Sequence, residues 1–183
     1  PLKFEFSNVP AGYDPAELNA SISPATIRIA GAADTVDGIE SVNAGFINLA
    51  RVQLGKAETL KIQLSEGLVN VDDVQEATVT FDTSGYGEPR AITVSDIRVV
   101  NAPSGVDVKV ITESINNVTL VGEAEELAAI SPSDVIAQVD ASAQNITVKG
   151  SGQQQFSAQI IVTGTKTVFA TGAYSVLCDI TVK

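Results

Sequence analysis

The feature that most constrains this chain is an internal repeat. Phe4 to Gly12 reads FEFSNVPAG and Ile97 to Gly105 reads IRVVNAPSG, so Asn8, Pro10 and Gly12 recur as Asn101, Pro103 and Gly105, each 93 positions later. A second pair of blocks follows in the same order. Ile27 to Ile39 (IRIAGAADTVDGI) matches Val118 to Ile130 (VTLVGEAEELAAI), with Gly31 against Gly122 at an offset of 91. The offset falls by two, which puts a two-residue longer loop between the blocks of the first copy. Phe46 and Leu49 then match Ile136 and Val139 at an offset of 90. A chain of 183 residues therefore reads as two modules of roughly equal size, each long enough to close a modest core. Gly, Pro and Ser concentrate at Asp82 to Arg90 between two apolar alternations, and the join is placed there, giving modules 1–88 and 89–183.

Within each module the apolar residues alternate with polar ones. Leu60, Ile62 and Leu64 flank Lys61 and Gln63, and Val106, Val108 and Val110 flank Asp107 and Lys109. Phe156, Ala158, Ile160 and Val162 repeat the pattern, as do Tyr174, Val176, Cys178, Ile180 and Val182. Period-two alternation predicts strands with one buried face. Further strands are expected around Lys3 to Ser7, Thr26 to Ala30, Ala77 to Phe81, Ile97 to Val100 and Asn117 to Val121. Only Asp34 to Ser41 and Glu123 to Ile130 look helical, because Val36 and Ile39, or Leu127 and Ile130, stand three apart. The expected fold class is mainly β, a β-rich α+β fold: two small tandem modules with mixed sheets and one short helix each.

A physical role is expected for each repeated residue. Gly31 and Gly122 tolerate positive φ and let the strand turn sharply into the helix. The apolar pair of each helix then caps the core, and Phe46 with Leu49, or Ile136 with Val139, returns to the sheet. Asn-x-Pro-x-Gly supplies a turn in which Pro fixes φ and Gly12 or Gly105 takes the left-handed corner.

Catalytic chemistry has little to work with. There is no His, so His-based nucleophile arrangements and His-ligated zinc sites are absent, and no catalytic, cofactor or metal residue is assigned. The single cysteine, Cys178, shares the apolar parity of Val176 and Ile180 and reads as core. One cysteine also forms no internal disulfide. The acids at Asp72–Asp73 and at Glu123, Glu125 and Glu126 do not follow the spacing of a calcium loop and read as solvated surface. A glycosidase-type carboxylate pair would leave matched acids in the two copies, and only Asp34 opposite Glu125 comes close. Negative charge near a helix N-terminus accounts for both. Gly85-Tyr86-Gly87 and Gly150-Ser151-Gly152 lack phosphate-loop spacing and read as turns. Tyr13 and Tyr86 are the candidate surface contacts. The formal charge of −11 opposes nucleic acid and anionic lipid as partners. No run of 18 apolar residues occurs, and the chain starts at Pro1 without a leader pattern, so any membrane anchor or export signal is expected outside these residues.

At VPAGY and SPATIRIAGAADTVDGI the chain resembles the YbbR-like family: an opening strand, a turn ending in Gly, then a strand, a Gly and a short helix. The second copy departs slightly, with SINNVTLVGEAEELAAI lacking the counterpart of Pro24, and Gly105-Val106 where the first has Gly12-Tyr13. The resemblance implies non-catalytic tandem modules, held by an N-terminal membrane segment on the outer face of mainly Gram-positive bacteria. It further implies a protein partner, which in some members is a membrane diadenylate cyclase whose cyclic-di-AMP output is regulated. A cell-wall or surface adhesion role is the alternative.

Overall fold

The computed structural model describes residues 1–183, which form two compact units. Unit 1 comprises Pro1–Val9 and Pro15–Ser84, and unit 2 comprises Pro10–Asp14 and Gly85–Lys183. The fold is mainly β, as the alternation predicts.

Unit 1 runs β1 (Leu2–Ser7), β2 (Ala20–Ser23), β3 (Ile29–Ala30), α1 (Ala33–Val36), β4 (Val42–Asn48), β5 (Glu58–Lys61), β6 (Val69–Asn70) and β7 (Glu76–Phe81). β1 pairs in parallel with β4, β7 lies between β2 and β5, and β3 pairs with β6. Leu2, Ala44 and Ala77 form a small core with Ile22, Ile27, Val42, Leu60 and Ile62 against it. Phe4 and Phe6 lie on the same side of β1, and their rings meet edge to face at 5.4 Å.

Unit 2 runs β8 (Arg90–Val94), β9 (Asp96–Val100), β10 (Val106–Val110), β11 (Ile115–Val121), α2 (Ala124–Ala129), β12 (Val135–Asp140), β13 (Ser151–Val162), β14 (Phe169–Thr171) and β15 (Tyr174–Val182). Five strands form a mixed sheet in the order β10-β15-β13-β12-β9, and three form an antiparallel sheet in the order β14-β11-β8. Along β15, Val176, Cys178 and Ile180 are buried while Ser175, Asp179 and Thr181 are exposed, as their parity predicts. Leu127 and Ile130 of the helical segment join the core.

The pairing repeats. The parallel β1–β4 ladder corresponds to β9–β12, the β2-β7-β5 order to β10-β15-β13, and β3–β6 to β11–β14. The units differ because β13 has 12 residues whereas β5 has 4, so unit 1 buries less apolar surface.

Three expectations are corrected. Helix α1 ends at Val36 rather than Ser41, because Gly38 follows and glycine costs a helix about 1 kcal/mol relative to alanine. Its apolar pair, Val36 and Ile39, is only half-buried. The third block of the repeat is in a different register: Gly45 at φ +132 lies in a bulge of β4, after which Phe6 pairs with Ile47 as Val99 pairs with Val139. The strand equivalence is therefore Ile47 to Val139 and Asn48 to Asp140, two residues from the match drawn through Phe46 and Leu49. Phe46 pairs with Glu5 as Gln138 pairs with Arg98, which makes it the counterpart of Gln138, and it is 61% exposed.

Candidate functional site

The repeated corner folds the same way twice. Tyr13 N–H donates to Pro10 O at 3.1 Å and Val106 N–H donates to Pro103 O at 3.0 Å. Gly12 and Gly105 have φ of +83 and +79, the left-handed corner expected of them. The sequence reading missed that Asn8 and Asn101 are also left-handed, at +50 and +52, a conformation asparagine tolerates better than other residues with a Cβ. The recurrence of Asn at both corners was the available signal.

Gly31 and Gly122 have another reason to be glycine. Neither has positive φ, which corrects the expected role. A Cβ on Gly31 would stand 2.9 Å from Gly67 O, and one on Gly122 would stand 2.8 Å from Thr167 O and 2.7 Å from Val168 Cα. In both copies a neighbouring backbone passes where a side chain would be.

Tyr13 and Tyr86 are half-buried, and their hydroxyls are closed off from solvent. Tyr13 belongs to unit 2, with its ring 4.6 Å from that of Phe169. Tyr86 sits in an isolated bridge to Glu123, flanked by Gly87 N–H donating to Gly122 O and Ala124 N–H donating to Gly85 O. The Gly85-Tyr86-Gly87 segment thus holds the start of α2. Tyr174 accepts from Thr119 N–H at 2.9 Å and donates to Thr171 O at 2.6 Å.

The acids are used to hold loops and termini. The Glu126 carboxylate accepts from the Thr165 and Thr167 hydroxyls and from the Thr167 N–H, and these bonds hold its pKa below the ordinary glutamate range. Asp72 is lowered by the Arg28 N–H and guanidinium, which it meets at 2.6 and 2.7 Å. Asp134 and Asp140 are lowered by the side chains of Ser131 and Ser142. Asp34 and Glu125 lie in the first turns of α1 and α2.

No group of three or more His, Cys, Asp or Glu side chains is arranged to hold a metal. Unit 1 has a shallow depression of about 300 Å³ with Asp82 as its one carboxylate, and unit 2 has one of about 500 Å³ with Glu88 as its one carboxylate. Cys178 is fully buried and its thiol pKa is pushed up by that burial. The three most exposed of the large apolar side chains are on unit 1, Val69 at 63%, Phe46 at 61% and Val71 at 49%, and Ile111 and Val182 of unit 2 follow at 40% and 37%. No helix is long and apolar enough to cross a membrane.

A family model described as YbbR-like protein matches residues 1–96. The crystal structure of a YbbR-like protein from Streptococcus pneumoniae TIGR4 matches with 17% identity and a TM-score of 0.34, covering 100% of this chain and 91% of that one. No curated protein matches.

Proposed function

The chain belongs to the YbbR-like family, and from that premise we propose that it is a non-catalytic module that regulates a membrane protein by contact on the extracytoplasmic side of a bacterial cell. Its proposed partner is a membrane diadenylate cyclase, and a segment outside these residues anchors it beside that enzyme. The observation that carries this reading is Phe46, 61% exposed on β4 where the other unit has Gln138. An aromatic ring exposed on a strand offers apolar area that burial against a partner would recover, which supports a contact role for Phe46.

The test is a membrane pull-down with the full-length protein and its Phe46→Asp variant, with cyclic-di-AMP measured in the corresponding strains. The expected result is cyclase capture and a changed nucleotide level, both lost in the variant. Unchanged cyclic-di-AMP together with binding to purified wall glycans would replace this reading with surface adhesion.

A further inference from the structure

β10 is an end strand of the five-stranded sheet, paired on one side only, with β15. Lys183 N–H donates to Gly105 O and Ile111 N–H to Leu177 O, which sets the hydrogen-bonded pairs of that ladder at the odd positions, Asp107 and Lys109 among them. The backbone groups of Val106, Val108 and Val110 therefore point the other way, to the open edge. Of their three N–H groups, that of Val106 is bonded to Pro103 O, and those of Val108 and Val110 have no backbone partner. The three valines are half-buried against the core, while Asp107 and Lys109 are exposed. The chain's two ion pairs are Arg28–Asp72 and Arg98–Asp96, so neither charge on β10 is paired, although Asp179 lies across the ladder from Lys109.

The sequence Val-Asp-Val-Lys-Val is its own complement. Laid antiparallel to itself about Val108, it sets Val108 opposite Val108 as a hydrogen-bonded pair, brings each Val110 N–H to a Val106 O, and puts Asp107 opposite Lys109 twice on the exposed face. Other end strands do not share this property. On β5, Glu58 and Lys61 stand three apart, so their backbone groups point opposite ways and no antiparallel register sets them face to face. On β9, Asp96 and Arg98 are already bonded to each other at 2.6 Å. We propose that β10 is the surface through which two copies of this chain associate, as a two-fold antiparallel pair about Val108. Ile111 and Val182, the most exposed large apolar side chains of unit 2, stand at opposite ends of this edge, and the pairing brings the Ile111 end of one copy to the Val182 end of the other.

Sedimentation of the 183-residue chain over a range of concentrations, with amide exchange followed by NMR, tests this. The expected result is a monomer–dimer equilibrium in which the amides of Val108 and Val110 exchange more slowly as the dimer forms. Asp107→Lys and Lys109→Glu each set like charges opposite one another and should each weaken the dimer about tenfold. An equimolar mixture of the two variants restores opposite charges at both pairs, so a heterodimer should form as tightly as the original dimer. A chain that stays monomeric throughout, a dimer indifferent to both single changes, or a mixture no tighter than either variant alone overturns the proposal.

Discussion

A methyl group placed on Gly122 would stand 2.7 Å from the Cα of Val168. Backbone cannot yield there as the end of a flexible side chain would, so Gly122→Ala should lower stability by about 1–3 kcal/mol. Gly38→Ala is the control: its Cβ would meet only Thr35 O at 4.0 Å, and stability should change by less than about 0.5 kcal/mol. Urea unfolding of both variants decides the matter, and equal losses would sink the close-approach account.

Arg90 on β8 holds the far end of α2. Its guanidinium donates to Leu127 O at 3.2 Å and Ile130 O at 2.8 Å, carbonyls that a helix C-terminus leaves without partners. Arg90→Ala is expected to cost about 1–2 kcal/mol in denaturant unfolding. An unchanged midpoint would mean that water replaces the guanidinium fully.

Acid should weaken unit 2 through Glu126. Hydrogen bonds from Thr165 and Thr167 hold its folded pKa below that of the unfolded chain. Its contribution is therefore complete above the ordinary glutamate value of about 4.3 and is lost as pH falls through the depressed folded value. The stability gap between the native chain and Glu126→Gln should be flat near neutrality and narrow on acidification. A gap that stays constant throughout an acid titration would contradict this.

Asn8 has φ +50, and this left-handed backbone by itself sets the cost of replacing it. Asn8→Ala should destabilise by about 1 kcal/mol, whereas Asn8→Gly should be neutral within a few tenths, since glycine has no left-handed penalty. At Asn101, glycine should not restore full stability, because Nδ2 also donates to Asp140 Oδ2 at 3.0 Å. Thermal melts of these three variants separate backbone from side-chain effects.

Cys178 is closed off from solvent and its thiol pKa is raised, both of which disfavour the reactive thiolate. A soluble thiol reagent should label it only as the chain unfolds, so labelling rate should follow added denaturant. Rapid labelling of the native protein would place it at an accessible site instead.

The elements most legible beforehand were those with strict alternation. Val176, Cys178 and Ile180 faced the core because side chains in an extended chain point to opposite sides by geometry alone, whatever lies across from them. Leu127 and Ile130 reach the core as their three-residue spacing predicts, although Ile130 lies in extended backbone just past the end of α2. Strands β2 and β8 were not anticipated, because Ala20–Ser23 and Arg90–Val94 are short and sit among turn-forming residues. The identity of Tyr13 was visible, but its place was not.

The order of the two modules, the parity of their strands and the corner built from Asn, Pro and Gly were determined by the sequence itself, since each depends on interactions among residues near in the chain. Tertiary structure alone decided that Gly31 and Gly122 make room for a passing backbone, that a bulge at Gly45 shifts β4 and leaves Phe46 exposed, and that Pro10–Asp14 completes unit 2. Those outcomes turn on which strand comes to lie beside which. Local periodicity reports the face of a strand, and the neighbour on that face is set by chain closure over tens of residues.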